Sequence, residues 1–125
     1  MYEIYVAAGF EAAHRLVGDF GPATRMHGHT YRLEVIVRGQ SLAEDGTLYD
    51  IGRLKQAVDE LVASLNYQDL NEVPGLVDVN TTAEAVADHC WQGLASPLRE
   101  RGLDSLVVRI WESPDAYAAR EDTLD

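Results

Sequence analysis

The stretch Arg25-Met26-His27-Gly28-His29-Thr30-Tyr31 sets the organisation that we predict for this chain. It leads into residues 30–39, where apolar and polar side chains alternate as they do in a strand with one buried face. His27 and His29 are two residues apart, so an extended backbone points both imidazoles to the same side. The sequence therefore predicts a pair of nitrogen ligands at the start of a long strand.

A third histidine, His14, ends the first apolar stretch, residues 2–14, which we also predict to be a strand. If the two strands pair antiparallel across the loop at residues 17–26, His14 can join His27 and His29 around one ion. Three protein ligands with an open position are typical of catalytic zinc, although imidazole also suits iron and copper. The alternative is that these histidines are solvated and bind nothing.

Helical and strand periodicities alternate along the remainder of the chain. Asp50 is a candidate N-cap for a helix that ends near Asn66, and residues 66–80 are expected to form a loop. Thr81 and Glu84 fit a capping box for a second helix that stops at Gly102. Strands are expected at residues 105–112 and 116–120. The order predicts an α+β fold, a single domain over residues 1–125, with a four-stranded antiparallel sheet covered on one face by two helices.

The net charge of the chain bears on the kinds of molecule that it can bind. The chain has 125 residues and a formal net charge of −11, which argues against binding to nucleic acid or to an anionic membrane surface. The net charge does not argue against a local basic pocket for a phosphorylated small molecule. Cys90 is the only cysteine, and its place on a helical apolar stripe indicates a core residue. Without an N-terminal signal or a long apolar run, we expect a cytoplasmic protein.

One acidic residue is out of pattern. Glu112 continues the apolar row of Leu106, Val108 and Ile110 at the end of a predicted strand. A carboxylate among apolar groups is unfavourable unless a partner satisfies it. Glu112 is therefore a candidate binding residue, and the alternative is an ordinary exposed charge at a strand end.

Together these motifs resemble the family of 6-pyruvoyl-tetrahydropterin synthase and 6-carboxytetrahydropterin synthase. The resemblance rests on Phe10 to His14, His27-Gly28-His29 with Tyr31, Asp50 to Lys55, Asn80 to Glu84, and Trp111-Glu112. It implies the tunnelling fold, in which ββααββ subunits close as trimers into a barrel and two trimers form a hexamer. It also implies pterin sites at subunit boundaries.

The resemblance implies roles for particular residues. His14, His27 and His29 match the zinc ligands, and Glu112 matches the carboxylate that holds the pterin ring. Thr82 matches a threonine near the ring, although it could simply belong to the helix cap.

The catalytic positions of the family are different here. The family's cysteine, four residues before the first histidine of His-Gly-His, is Ala23 in this chain. The Asp-His pair after the first helix is Asn66-Tyr67. Another branch of the family uses a glutamate in the cysteine's loop, but no glutamate lies between Asp19 and His29. Replacement proton carriers would have to be Tyr67, Asp69 or groups from a neighbouring subunit.

Two hypotheses follow from these differences. The first is a protein that binds a pterin-like or related purine-like molecule without catalysing the parent synthase reaction. The second is an enzyme with altered pterin chemistry that uses a metal held by the histidines.

Overall fold

Two long strands form the centre of the computed structural model, which covers residues 1–125. Strand β1 spans Tyr2–His14 and strand β2 spans His27–Gly39, and they pair antiparallel along their whole length. The prediction for β1 is confirmed, whereas β2 starts at His27 and not at residue 30. The extra residues belong to the ladder because His14 pairs with His27 in the β1–β2 register.

The sheet has five strands in the order β3-β1-β2-β4-β5, so the predicted number of four was wrong. Strands β4 (Ser105–Ser113) and β5 (Ala116–Thr123) form the expected antiparallel hairpin. The additional strand β3 is the pair Gln68–Asp69, which runs parallel to β1. Two residues show no alternation, so the sequence gives no sign of β3. It forms because the Tyr67 amide donates to the Glu11 carbonyl at 2.6 Å and brings the chain beside β1.

Two helices cover one face of this sheet. Helix α1 (Ile51–Leu65) begins as predicted, since the Asp50 carboxylate accepts from the amides of Gly52 and Arg53. Helix α2 spans Ala83–Glu100, and its N-cap is Thr82, whose hydroxyl accepts from Ala85 at 3.1 Å. The prediction of Thr81 as N-cap was therefore wrong by one residue. Neither helix is long and apolar enough to cross a membrane.

The two helices cover one face of the sheet and leave the other uncovered. Helix α1 packs on β1, and α2 packs on β4 and β5, over a core cluster of 28 buried residues. Cys90 lies in this core as expected, and burial raises the pKa of its thiol to about 12. We call the covered side the inner face; it carries Phe10, Leu33 and Ile110. The opposite side is the outer face.

A candidate metal and ligand site at the end of the inner face

The inner face ends in a cluster of three histidines. His14 pairs with His27, and Ala12 with His29, so strand alternation places all three imidazoles on the inner face. One nitrogen from each ring lies within 4.8 Å of the others. His14 is fully buried, whereas His27 and His29 are half-buried. The residues that sequence reasoning grouped are therefore brought together.

Backbone carbonyls hold two of these rings by the same atom. Nδ1 of His14 lies 2.8 Å from the carbonyl oxygen of Thr81, and Nδ1 of His27 lies 2.7 Å from that of Arg25. A carbonyl can only accept, so each Nδ1 donates, and a neutral ring then keeps its lone pair on Nε2. Nε2 of His29 is buried and has no hydrogen-bond partner. Each histidine thus has a nitrogen free to act as a ligand.

The electrostatics of His14 favour the neutral form that binds metals. Burial lowers the pKa of His14, and the nearby His27 and His29 lower it further, against the opposing effect of the Thr81 carbonyl. Three converging imidazoles, two of them fixed through Nδ1 by backbone carbonyls, are a donor set suited to a divalent metal such as zinc. The residues present fit a zinc ion.

Tyr31 and Glu112 continue the same face from β2 to β4. The ring of Tyr31 stacks on Phe10, with centroids 4.8 Å apart and planes 9° from parallel. Its hydroxyl is buried and has no partner. Glu112 follows Trp111, which pairs with Arg32, so Glu112 lies across from Tyr31. Burial and the Glu112 carboxylate together raise the pKa of Tyr31.

A cavity of about 440 Å³ opens beside Glu112. This volume is within the range of small-molecule sites. The Glu112 side chain is half-buried and forms no hydrogen bond or ion pair within the chain. The cavity walls are mostly small side chains from the start of α2 and from β5: Ala83, Glu84, Ala116, Tyr117, Ala118 and Ala119. The free carboxylate of Glu112 can therefore accept hydrogen bonds from a molecule in this cavity.

Of the three positions that differ from the family, only Asn66 has a side-chain hydrogen bond within the chain. Ala23 lies in a short 3₁₀ turn, Gly21–Thr24. The side-chain oxygen of Asn66 accepts from the Glu11 amide at 2.9 Å, and the Asp69 carboxylate accepts from the Asn71 amide at 3.0 Å. Tyr67 is 81% exposed, with a φ of 59°, and its side chain is open to solvent.

Sequence reasoning missed three contributors to the site. The carbonyls of Arg25 and Thr81 were not foreseen, because backbone partners leave no mark in residue type. Tyr31 could have been noticed, since it has the parity of His27 and His29 on one strand. Thr82 was foreseen, and the contact that the structure gives its hydroxyl is the helix cap.

The fold and the site define an α+β protein whose sheet ends in a three-histidine cluster beside an unpaired carboxylate. The family model described as 6-pyruvoyl tetrahydropterin synthase matches residues 3–122. The chain belongs to this family.

Individual relatives agree with that assignment. The 6-carboxy-5,6,7,8-tetrahydropterin synthase of Synechocystis is 36% identical over 85% of this chain and 81% of its own length. The dihydroneopterin monophosphate aldolase of Pyrococcus furiosus is 34% identical over 67% of both chains. The structure of Caenorhabditis elegans 6-pyruvoyl tetrahydropterin synthase superposes with a TM-score of 0.82 over 97% of this chain and 95% of that one, at 24% identity. The predicted tunnelling fold is confirmed.

Proposed function

We propose that this protein binds a pterin-like or related purine-like small molecule through Glu112 and the histidine cluster. The observation that carries the proposal is the unpaired, half-buried carboxylate of Glu112 beside a cavity of about 440 Å³. Membership of a pterin synthase family gives the class of ligand. The direct test is calorimetric titration of neopterin, biopterin and guanine, of which at least one should bind.

Glu112 is the proposed anchor for the heterocyclic ring. A pterin presents a ring N–H and an exocyclic amino group side by side, and an ionised carboxylate can accept both hydrogen bonds. No group of the chain competes for the Glu112 oxygens. Thr82, at the start of α2, is proposed to lie near the bound ring while its hydroxyl caps the helix.

His14, His27 and His29 are the proposed ligands of a zinc ion. When bound, zinc would act as a Lewis acid that polarises an oxygen of the bound molecule. The chain's own contribution is orientation: the carbonyls of Thr81 and Arg25 hold two imidazoles with Nε2 free. If water replaced either carbonyl, the orientation of that imidazole would be less fixed.

We further propose that the parent synthase reaction is not catalysed. Ala23 has no titratable group, Asn66 is uncharged and hydrogen bonded to Glu11, and Tyr67 replaces the histidine of the family's Asp-His pair. Losing cooperating acid–base groups reduces rates by several orders of magnitude. We expect no turnover of dihydroneopterin triphosphate with zinc present, when an active synthase is assayed alongside. Robust turnover would refute this part of the proposal.

The alternative is an enzyme with altered pterin chemistry, and the Pyrococcus furiosus relative favours it. That relative is named as an aldolase and not as a synthase. Proton carriers in this chain would have to be Tyr67, Asp69 or groups from another subunit. Assaying dihydroneopterin and its monophosphate for cleavage of the side chain separates the two possibilities, because a pure binding protein releases no product.

The protein is also proposed to form a closed homo-oligomer, a hexamer built from two trimers. The outer edges of β3 and β5 are unpaired within the chain, and unpaired edges favour association. Large apolar residues are exposed in the loop between β1 and β2: Val17, Phe20 and Met26. Light scattering should give a mass of six chains over a range of concentrations, and a monomer throughout would contradict this.

A further inference from the structure

The hydroxyl of Tyr31 has no function inside the isolated chain. The residue is 1% exposed, and its phenol oxygen has no hydrogen-bond partner. The stack on Phe10 at 4.8 Å involves only the ring, so phenylalanine would pack equally well. A buried hydroxyl without a partner destabilises the folded state. The hydroxyl therefore indicates a partner that comes from outside the chain.

The position of Tyr31 shows where that partner lies. The Tyr31 ring is 5.2 Å from the His29 ring and 6.1 Å from the His14 ring, centroid to centroid. On its other side, Glu112 lies across from it on β4. Because Tyr31 follows His27 and His29 on β2 and lies across from Glu112 on β4, it stands between the histidines and Glu112 on this face.

We propose that Tyr31 is a specificity-determining residue, whose hydroxyl donates a hydrogen bond to an oxygen in the side chain of a pterin-like ligand held by Glu112. This inference rests on the proposed function. It adds a selection rule: the site distinguishes a ring that carries an oxygenated side chain from the bare ring. A neutral phenol can donate this bond, and a hydrogen bond in an enclosed site is stronger than one in water.

The ligand-free environment of the hydroxyl allows such a contact. Glu112 and His29, which flank Tyr31, are half-buried, and neither side chain is fixed by a hydrogen bond that an incoming ligand would have to break. A rotation of Glu112 toward a bound ring would open the space beside the phenol. The other unpaired buried polar atom nearby, Nε2 of His29, is the nitrogen proposed above as a zinc ligand.

The experiment compares wild type with Tyr31→Phe in two measurements. In thermal unfolding of the metal-free protein, Tyr31→Phe should melt at the same or a higher temperature, because no internal hydrogen bond is lost. In calorimetry, its affinity for neopterin should fall about two- to twelve-fold, the value of one neutral hydrogen bond, while its affinity for unsubstituted pterin is unchanged. A lower melting temperature, or equal effects on both ligands, would overturn the inference.

Tyr5→Phe is the matched control. The Tyr5 hydroxyl donates to Glu34 at 2.6 Å and accepts from Arg32 at 2.9 Å on the outer face. Its removal should lower the melting temperature and leave neopterin affinity unchanged. If wild type binds neither neopterin nor pterin, the proposed function fails together with this inference. If wild type binds neopterin and Tyr31→Phe binds it equally well, the inference alone fails.

Discussion

The two faces of the sheet differ in whether their buried polar groups have hydrogen-bond partners. On the outer face, Glu34 accepts from the hydroxyl of Tyr5 at 2.6 Å and from the indole nitrogen of Trp111. On the inner face, the Tyr31 hydroxyl and Nε2 of His29 are buried without any partner. Trp111 and Glu112, one residue apart in β4, point into these two different environments.

The difference separates groups that stabilise the chain from groups that are available to a ligand. Burial alone would raise the pKa of Glu34, but the hydrogen bonds from Tyr5 and Trp111 outweigh it and the pKa is lowered. The network of Tyr5, Arg32, Glu34 and Trp111 is thus complete within the chain. On the inner face, the Tyr31 hydroxyl and Nε2 of His29 remain unpaired within the chain, as the proposed ligand and metal contacts require.

The largest expected effect is on metal binding. His29→Ala should lower zinc affinity more than about 100-fold, because even the outer partners of metal ligands contribute 10- to 100-fold. In the metal-free protein this substitution breaks no hydrogen bond at Nε2 of His29, which has no partner. Competition with a chelator measures the affinity, and His89→Ala, which changes a histidine of α2 outside the cluster, is the control. Equal zinc affinity in both variants would rule out the three-histidine site.

The next effect is on ligand binding. Glu112→Gln removes one acceptor from the proposed ring contact, a loss of roughly 2–3 kcal/mol for charge-assisted bonds, or on the order of fifty-fold in affinity. Calorimetry with neopterin, biopterin and guanine measures it. Glu34→Gln is the matched control and should bind like wild type, because Glu34 faces the other side of the sheet. Unchanged affinity in Glu112→Gln would exclude the anchor role.

In a measurement of stability, we expect the opposite result: Glu34→Gln is affected and Glu112→Gln is not. Glu34→Gln puts an amide donor opposite Tyr5 or Trp111 and should cost about 1–3 kcal/mol of unfolding free energy. Glu112→Gln breaks no internal bond and should leave stability the same or slightly higher. Urea unfolding of the ligand-free proteins decides this. A destabilised Glu112→Gln would indicate that Glu112 has a structural role.

The smallest effect concerns pH. Burial lowers the pKa of His14 and of His89, with Asp88 opposing it at His89, so the folded state binds these protons less readily than the unfolded state. Stability should therefore be constant above about pH 6.5 and fall as the pH drops below it, by at most about 1.4 kcal/mol per pH unit for each histidine. Thermal unfolding at pH 7.5 and 5.5 tests the sign, and His89→Gln should reduce the slope.

Local patterns predicted the parts of the fold that local chemistry determines. Alternation placed β1 from residue 2 to residue 14, and the carboxylate of Asp50 identified the start of α1. Strand β3 depends instead on a contact between Tyr67 and Glu11, which are far apart in sequence, so no local pattern encodes it. Thr81 was mistaken for the cap because its type suits one; its burial beside His14 is a tertiary effect.

The candidate site also contains residues that local patterns predict and residues that depend on tertiary contacts. Residue type and parity were enough to group His14, His27 and His29, because the ladder between β1 and β2 obeys strand alternation. The free hydroxyl of Tyr31 could not be predicted, since its lack of a partner depends on every neighbour that encloses it. The carbonyl of Thr81 reaches His14 across 67 positions of sequence, and any residue there would offer the same oxygen.

The loop at residues 15–26 can be redesigned as a unit, because its two ends are fixed by the pairing of His14 with His27. Both ends of this loop are fixed at the cluster by the β1–β2 register, and its first residues are held from outside by Asn71 and Asn80. The loop contains Ala23, the position at which the resemblance places the family's cysteine. Substituting side chains in this loop can therefore add reactive groups next to the strand ends, provided that the Arg25 carbonyl keeps its contact with His27. For protein engineering, this loop is a segment whose side chains can be redesigned separately from the paired strands on either side of it.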